Sequence, residues 1–432
     1  MTRARTAMPA LGSSSGPGFT LIKAARLFDG TGAPAVRNAA VLIRDGEIAA
    51  AGRQSQARAP EGAQVSVVDY GDATVMPGLV DAHTHLMAPG DGTHGDDVAK
   101  ESDDVLLMQA VKNARTFLHA GVTTCRENGA KNLVAFSLKE GIRRGLAAGP
   151  DLVVCGRPVT ITGGHMWYCG SEADGTEGVR KEVRKLIKEG ADFIKIMATG
   201  GSTRTSYPGR PSYTVDELRV IVEEAHRFGK LTAAHCASVK GIENSLAAGV
   251  DMIIHCVFED EDGRYKFRQD LADRLAAAKA WVNPTLHVVQ AGTELAERRG
   301  RERGWLTDDE KRSLERSKRS LEDRVEATRR MAGMGIRMTG GSDSPWGAYP
   351  PGEFVKELEF LARAGLSNAQ AVVAGTSGAA ESIAAHERAG MIAPGRPADV
   401  LVVGGDPLKD LAALWDVRDV YQRGVRVERV VK

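Results

Sequence analysis

An α/β fold is predicted, a (β/α)8 TIM barrel with a small β-sandwich assembled from both chain termini, and three features of the sequence predict it. Short β-runs crowd the two ends of the chain, and between them β-runs alternate with helical stretches. Several of the central runs end in a side chain that can bind a divalent metal, as expected where barrel strands open onto a catalytic face. A length of 432 residues suits one barrel plus an accessory module. Hydrophobic content of 42%, charged content of 26% and a net charge of +1 give no electrostatic reason to expect nucleic acid or a membrane surface as partner. The expected partner is a small-molecule substrate, and a homo-oligomer is compatible with the sequence.

The first residues, MTRARTAMPALGSSSGPG, lack a continuous apolar stretch, so residues 1–18 are expected to form a flexible arm rather than a signal peptide. The 5 scattered cysteines and the lack of an apolar run of bilayer length lead to the expectation of a reduced, cytoplasmic protein. Residues 19–76 read as strands: FTLIKAARLF, then AAVLIRDGEIAAAG with Asp45-Gly46 as a hairpin turn, then AQVSVVDY. From residue 77 to 385 the alternation of strand and helix assigns the barrel, with helices expected around Asp104–Ala120, Gly178–Glu189, Val215–Phe228, Val239–Ala248 and Asp270–Ala278. Thr214 with Glu217, and Thr307 with Glu310, read as capping boxes. The mixed-charge segment 297–330 reads as a solvated outer helix without a part in the chemistry. Residues 386–432 return to strands in ADVLVVGG, DVYQRGV and VERVVK, and pairing them with residues 19–76 would complete the composite sandwich.

The chemistry is concentrated at strand ends. In GLVDAHTHL, His83 and His85 are two apart, and a period of two points both the same way, so one ion can hold both. His235 in LTAAHC and His255 in GVDMIIHC each close a short apolar run. Cys236 and Cys256 follow them and, as immediate neighbours, point to the opposite face, so they are assigned to packing. Lys195 in FIKIM falls on the same face as Phe193 and Met197; a buried ammonium is costly unless it is neutralised or paired. Carboxylation by carbon dioxide would convert that cation into a carboxylate able to bridge two metal ions. Asp343, in the glycine-rich loop GGSDS after IRMT, is placed where it could hold a water and take its proton.

This ordered set, with LIKAARLFDGTG at the start, VMPGLVDAHTHL after it and GRPADVLVVGGDPL near the end, resembles the metal-dependent amidohydrolase superfamily over nearly the whole chain. TITGGHMW and FIKIMATGG make it most similar to the branch of Xaa-Pro dipeptidases and imidazolonepropionase-like enzymes. The resemblance implies a binuclear metal centre bridged by a carboxylated lysine, and hydrolysis of amide or ester bonds. It also implies His165 and Tyr213 as groups that polarise the substrate. His287, in NPTLHV, is a further candidate for contact with substrate, and Arg204 and Arg210 are candidates for a substrate carboxylate.

The expected function is therefore a hydrolase cleaving an amide C–N bond of a small molecule such as a dipeptide or N-acyl amino acid, through attack by metal-bound hydroxide. The metal ligands would be His83, His85, Lys195, His235, His255 and Asp343, holding two divalent ions, with zinc best suited to imidazole and carboxylate donors. Asp343, His165 and Tyr213 would act in catalysis, and His165, Tyr213 and His287 would bind substrate. Two alternatives stand beside it. A deaminase of a cyclic amidine would use one metal and no bridging lysine, and a non-catalytic scaffold would have lost the ligands.

Overall fold

The computed structural model describes residues 18–429, so the arm expected at 1–18 lies outside the described residues except for Gly18. Five strands follow at once: β1 (Phe19–Leu27), β2 (Val36–Arg44), β3 (Glu47–Arg53), β4 (Val65–Asp69) and β5 (Ala73–Pro77). Asp45 and Gly46 turn the β2–β3 hairpin with φ of 51° and 84°, and this pair of left-handed residues matches the twist of the strands it joins. Three strands near the end, β13 (Val400–Gly404), β14 (Val417–Gln422) and β15 (Val425–Arg426), join them. One eight-stranded sheet results, in the order β15-β14-β13-β5-β1-β2-β3, with β4 beside β1. The two chain ends meet where β13 runs antiparallel to β5, Val400 facing Pro77 and Gly404 facing Ala73. The expected strand in VERVVK is not formed at Val427–Arg429, and residues 430–432 lie outside the described residues.

Between the ends, strands and helices alternate: β6 (Leu79–Thr84), β7 (Val122–Glu127), β8 (Asp151–Val154), β9 (Ile194–Met197), β10 (Thr232–His235), β11 (Met252–Ile254) and β12 (Trp281–Asn283). All pair in parallel, β6-β7-β8 in one sheet and β9-β10-β11-β12 in another. This is the pattern of a TIM-barrel-like α/β domain. Val159 bridges in parallel to Ile196, Val282 to Met338, and Ala82 N donates to Gly340 O at 3.0 Å. Outward-facing Ile194, Ile196, Ile253 and Val282 pack with Val183, Leu218 and Leu271 of the helices in one apolar cluster.

Helices lie where the apolar periodicity places them, at Asp103–His119, Gly175–Glu189, Val215–Arg227, Val239–Ala248 and Gln269–Ala278. Thr214 and Thr307 both form full capping boxes, each threonine oxygen taking an amide of the first turn while Glu217 or Glu310 returns to the cap. The charged stretch 297–330 is divided: Leu286–Arg303 ends at Gly304, whose φ is 80°, and Asp308–Gly333 begins after it. The second helix is not solvated all round, because Leu321, Val325, Thr328 and Met331 form a buried stripe at helical spacing. Among the described residues no helix is long and apolar enough to cross a membrane. Thr307→Ala should cost about 1 kcal/mol through the lost cap. The expected readout is faster amide hydrogen exchange over the first turn of Asp308–Gly333, with other helices unchanged.

Candidate metal centre

His83, at the end of β6, is buried, and its Nε2 lies 3.3 Å from Nε2 of His85. Asp343 Oδ1 is 3.3 Å from each of these nitrogens. Three donor atoms so spaced are separated by the edge of a tetrahedron whose centre stands about 2.0 Å from each corner, the usual Zn–N and Zn–O distance. The donor set, two imidazoles and a carboxylate, fits a divalent metal of that kind. Opposite them the His235 and His255 rings stand 4.5 Å apart, and the His83 and His255 rings 5.7 Å apart. These five side chains and Lys195 line one cavity of about 300 Å3.

The hydrogen bonds on the far side of each ring decide which nitrogen can face an ion. Asn283 donates its amide to Gly341 O at 3.0 Å, so its Oδ1 must accept, and at 3.0 Å it takes the Nδ1 proton of His83. His85 Nδ1 donates to Gly129 O at 3.1 Å. Thr285 gives its hydroxyl proton to Pro284 O at 2.8 Å, so it accepts at 2.6 Å from His255 Nδ1. For His235 the order is reversed, with Nε2 donating to Gly200 O at 3.0 Å and Nδ1 left free. Every ring is thereby left with one lone pair and no freedom to turn it away.

Electrostatics favour the neutral form in three of these rings. Burial lowers the pKa of His83, His235 and His255 well below the ordinary imidazole value, and the Lys195 charge adds to it in all three. Lys195 itself is pulled down to about 7, chiefly by burial, and among the described residues it forms no ion pair. His255 and Asp343 both hold φ at 64°, a left-handed conformation that costs a non-glycine residue roughly 1–3 kcal/mol. They are fixed there by backbone bonds, His255 N to Asn283 O at 2.8 Å and Asp343 N to His83 O at 2.8 Å.

Other residues nominated by the sequence fall in different places. His165 lines the cavity, 4.7 Å from the His235 ring by centroid. Burial lowers its pKa to about 3, and Thr203 Oγ1, which accepts from Met166 N at 2.9 Å, lies 2.8 Å from Nδ1. Thr203 thereby occupies Nδ1, and Nε2 has no hydrogen-bond partner among the described residues. Gly201 must lack a side chain, since a Cβ there would sit 2.5 Å from His165 Nε2. Tyr213 corrects the expectation: it is packed in the apolar layer between strands and helices, and its hydroxyl donates to Ala173 O at 2.9 Å. His287 is likewise displaced, turned away from the cavity against Tyr349, with ring centroids 4.5 Å apart. Arg204 and Arg210 point outward into ion pairs with Asp97 and Glu261. Cys236 and Cys256 do pack away from the centre, within hydrogen-bonding distance of Ser245 and Met331.

Sequence patterns alone assign no role to Asp81, Asn283 or Arg324. Asp81 is fully buried and accepts from His83 N at 3.0 Å and from Ser342 N and Oγ at 2.9 and 2.6 Å, tying β6 to the loop that carries Asp343. Its position two residues before His83 is the signal that could have found it. Arg324 reaches the cavity from the charged helix expected to have no part in the site. Asn283→Leu and Thr285→Val should each weaken divalent metal binding by about 10–100-fold while the fold persists, measured by titration in metal-buffered solution.

Comparison with known proteins agrees with this geometry. Residues 74–427 match the model of the Amidohydrolase family. Ochratoxinase of Aspergillus niger is 27% identical over 435 residues, covering 93% of this chain and 84% of that protein. A Xaa-Pro dipeptidase structure with methionine bound in its active site superposes with a TM-score of 0.81 at 25% identity, over 95% of this chain and all of the other (100%). A prolidase structure complexed with N-methylphosphonate-L-proline gives a TM-score of 0.80 at 26% identity, covering 95% of this chain and 100% of that one. The chain belongs to the amidohydrolase family and is a hydrolase acting on carbon–nitrogen bonds.

Proposed function

We propose that the chain is a binuclear metal-dependent hydrolase that cleaves an amide bond of a small molecule such as a dipeptide or an N-acyl amino acid. His83, His85 and Asp343 would hold one divalent ion and His235 and His255 the other, with Lys195, carboxylated on Nζ, bridging them. The observation that carries the reading is the triangle of 3.3 Å separations among His83, His85 and Asp343, backed by rings whose distal nitrogens are already committed. Neutral imidazole with carboxylate suits zinc. Lys195 supports the bridge because it is a buried amine without an anionic partner among the described residues, held near neutrality. Addition of that amine in its neutral form to carbon dioxide forms an N–C bond and releases one proton, leaving an anion where the protonated side chain would be a buried cation. The relatives are a dipeptidase, a prolidase and an ochratoxinase, and their names point to amide substrates.

Two bound cations supply Lewis acidity, lowering the pKa of a water toward neutrality and polarising the scissile carbonyl. The residues of the chain do the rest. Asp343 accepts a proton from the attacking water and passes it to the leaving nitrogen. His165, neutral and with Nδ1 occupied by Thr203, donates from Nε2 to the carbonyl oxygen as negative charge develops there. The frame proposed for this chemistry is a closed barrel over 77–385 and a sandwich over 19–76 and 386–432. The first is supported by the bonds that link Val159, beyond the end of β8, to β9, β12 to Met338 and Gly340 back to β6. The second is supported by β1, which pairs with β4 over its first half and with β5 at its end, the partner switch by which a sheet folds over.

His83→Asn should lower bound metal from about two ions per chain to one or fewer and reduce turnover of dipeptides or N-acyl amino acids by about 10³-fold or more. Elemental analysis and single-substrate kinetics read both, and an unchanged kcat would refute the site. Reconstitution of metal-stripped protein with zinc should give a higher final metal content with bicarbonate present than in carbon-dioxide-free buffer. Equal content in the two buffers would remove the carboxylated bridge.

A further inference from the structure

Among the described residues Arg324 is the one guanidinium that reaches the cavity, and it does so from an unexpected direction. It sits on Asp308–Gly333 between Leu321 and Thr328, on the stripe that the helix buries. Its Nε is buried and has no hydrogen-bond partner. Among the described residues none of its nitrogens forms an ion pair; the carboxylates that act on its charge, Glu259 and Asp343, do so from beyond contact distance. Two other arginines on this helix are differently placed: Arg312 and Arg329 pair with acids of the same helix at its exposed face. An arginine desolvated without an anion is unfavourable, since the cost of removing it from water is repaid only by a hydrogen-bonded negative partner.

The rest of the cavity shows what that partner must look like. Met166, Pro208, Val257, Val288 and Trp346 add apolar surface to its lining, with Trp346 beside His85 at 5.1 Å between ring centroids. Arg204 and Arg210, the other arginines of the surrounding loops, are spent on Asp97 and Glu261 at the surface. A ligand filling about 300 Å3 therefore meets apolar surface, the histidine cluster with Lys195, and an unpaired guanidinium.

We propose that Arg324 is the anion-binding group of this site and that the substrate presents a carboxylate to it, attached to an apolar body that lies against Trp346 and Met166. A guanidinium holds a carboxylate through two parallel N–H···O bonds, so it fixes orientation as well as charge. The carboxylate end of the ligand is thereby directed toward the helix Asp308–Gly333, and the amide is left over the histidines. The placement of the amide rests on the hydrolase reading above; the anion site itself does not.

The test uses a ligand without a scissile bond. Full-length, metal-loaded protein is titrated by calorimetry with 3-phenylpropanoate and with the neutral 3-phenylpropan-1-ol. The wild type should prefer the carboxylate by at least about tenfold, a typical margin for one buried charge-assisted pair. R324M should lose that preference at unchanged metal content, with affinity for the alcohol retained. R324K keeps the charge but not the two-point contact, so it should keep part of the preference; it gives the same reading should methionine destabilise the helix. Absence of any preference in the wild type overturns the proposal, and so does a preference fully preserved in R324M, which would place the carboxylate on the metal ions instead. Hydrolysis of N-acetyl-L-phenylalanine is followed separately. A protein that binds the acid through Arg324 yet cleaves no amide would end the hydrolase reading and leave the anion site standing.

Discussion

An imidazole can offer a lone pair to a cation only while its other nitrogen keeps a proton, and that proton must go somewhere. In this chain each of the four clustered histidines sends it to a fixed acceptor: Asn283 Oδ1, Gly129 O, Thr285 Oγ1 or Gly200 O. None of these acceptors is on the strand of the histidine it serves. The centre therefore exists only when separate strands stand in register, and the neighbours of a ligand matter as much as the ligand. Asn283 illustrates the coupling, because the same amide that faces His83 also reaches Gly341 O, two residues before Asp343.

The charge balance around the centre is equally constrained. Arg126 lies fully buried among the strands, donating to Ala82 O at 2.8 Å and stacking 4.8 Å above the Phe193 ring. With Lys195 it makes a positive environment in which protonating His83 is doubly unfavourable. Asp81 and Glu127 experience the opposite pressure, both raised to about 7 by burial, and both are anchored by backbone amides, His83 N and Leu86 N. Rings and acids at the end of β6 are thus held by the same few residues.

Much of this could be read in the sequence, and the reasons for the remainder are physical. Strand-end histidines were legible because a period of two and an abrupt end to an apolar run are local properties of His83, His85, His235 and His255. Capping boxes at Thr214 and Thr307 were legible because the cap and its glutamate are three residues apart. Tyr213 and His287 were not, since a polar aromatic side chain is equally at home in a packed layer, and only tertiary contact with Ala173 or Tyr349 tells which. Arg324 was hidden by its company. In a helix dense with Arg, Lys and Glu nothing marks one arginine as the one that reaches the cavity except its place three after Leu321 and four before Thr328. The partner switch of β1 was hidden too, because pairing is a property of two strands and not of one.

The seam between β5 and β13 has a temporal consequence. Pro77 faces Val400, so that about three hundred residues must be synthesised after β5 before its partner exists. At roughly 5–20 residues per second a ribosome needs tens of seconds for that span. Throughout it the nascent amino-terminal strands present an unfilled edge of exposed amides and carbonyls, the kind of template on which chains aggregate. Slower elongation lengthens that window, and whatever covers this edge until β13 emerges shields the chain from association.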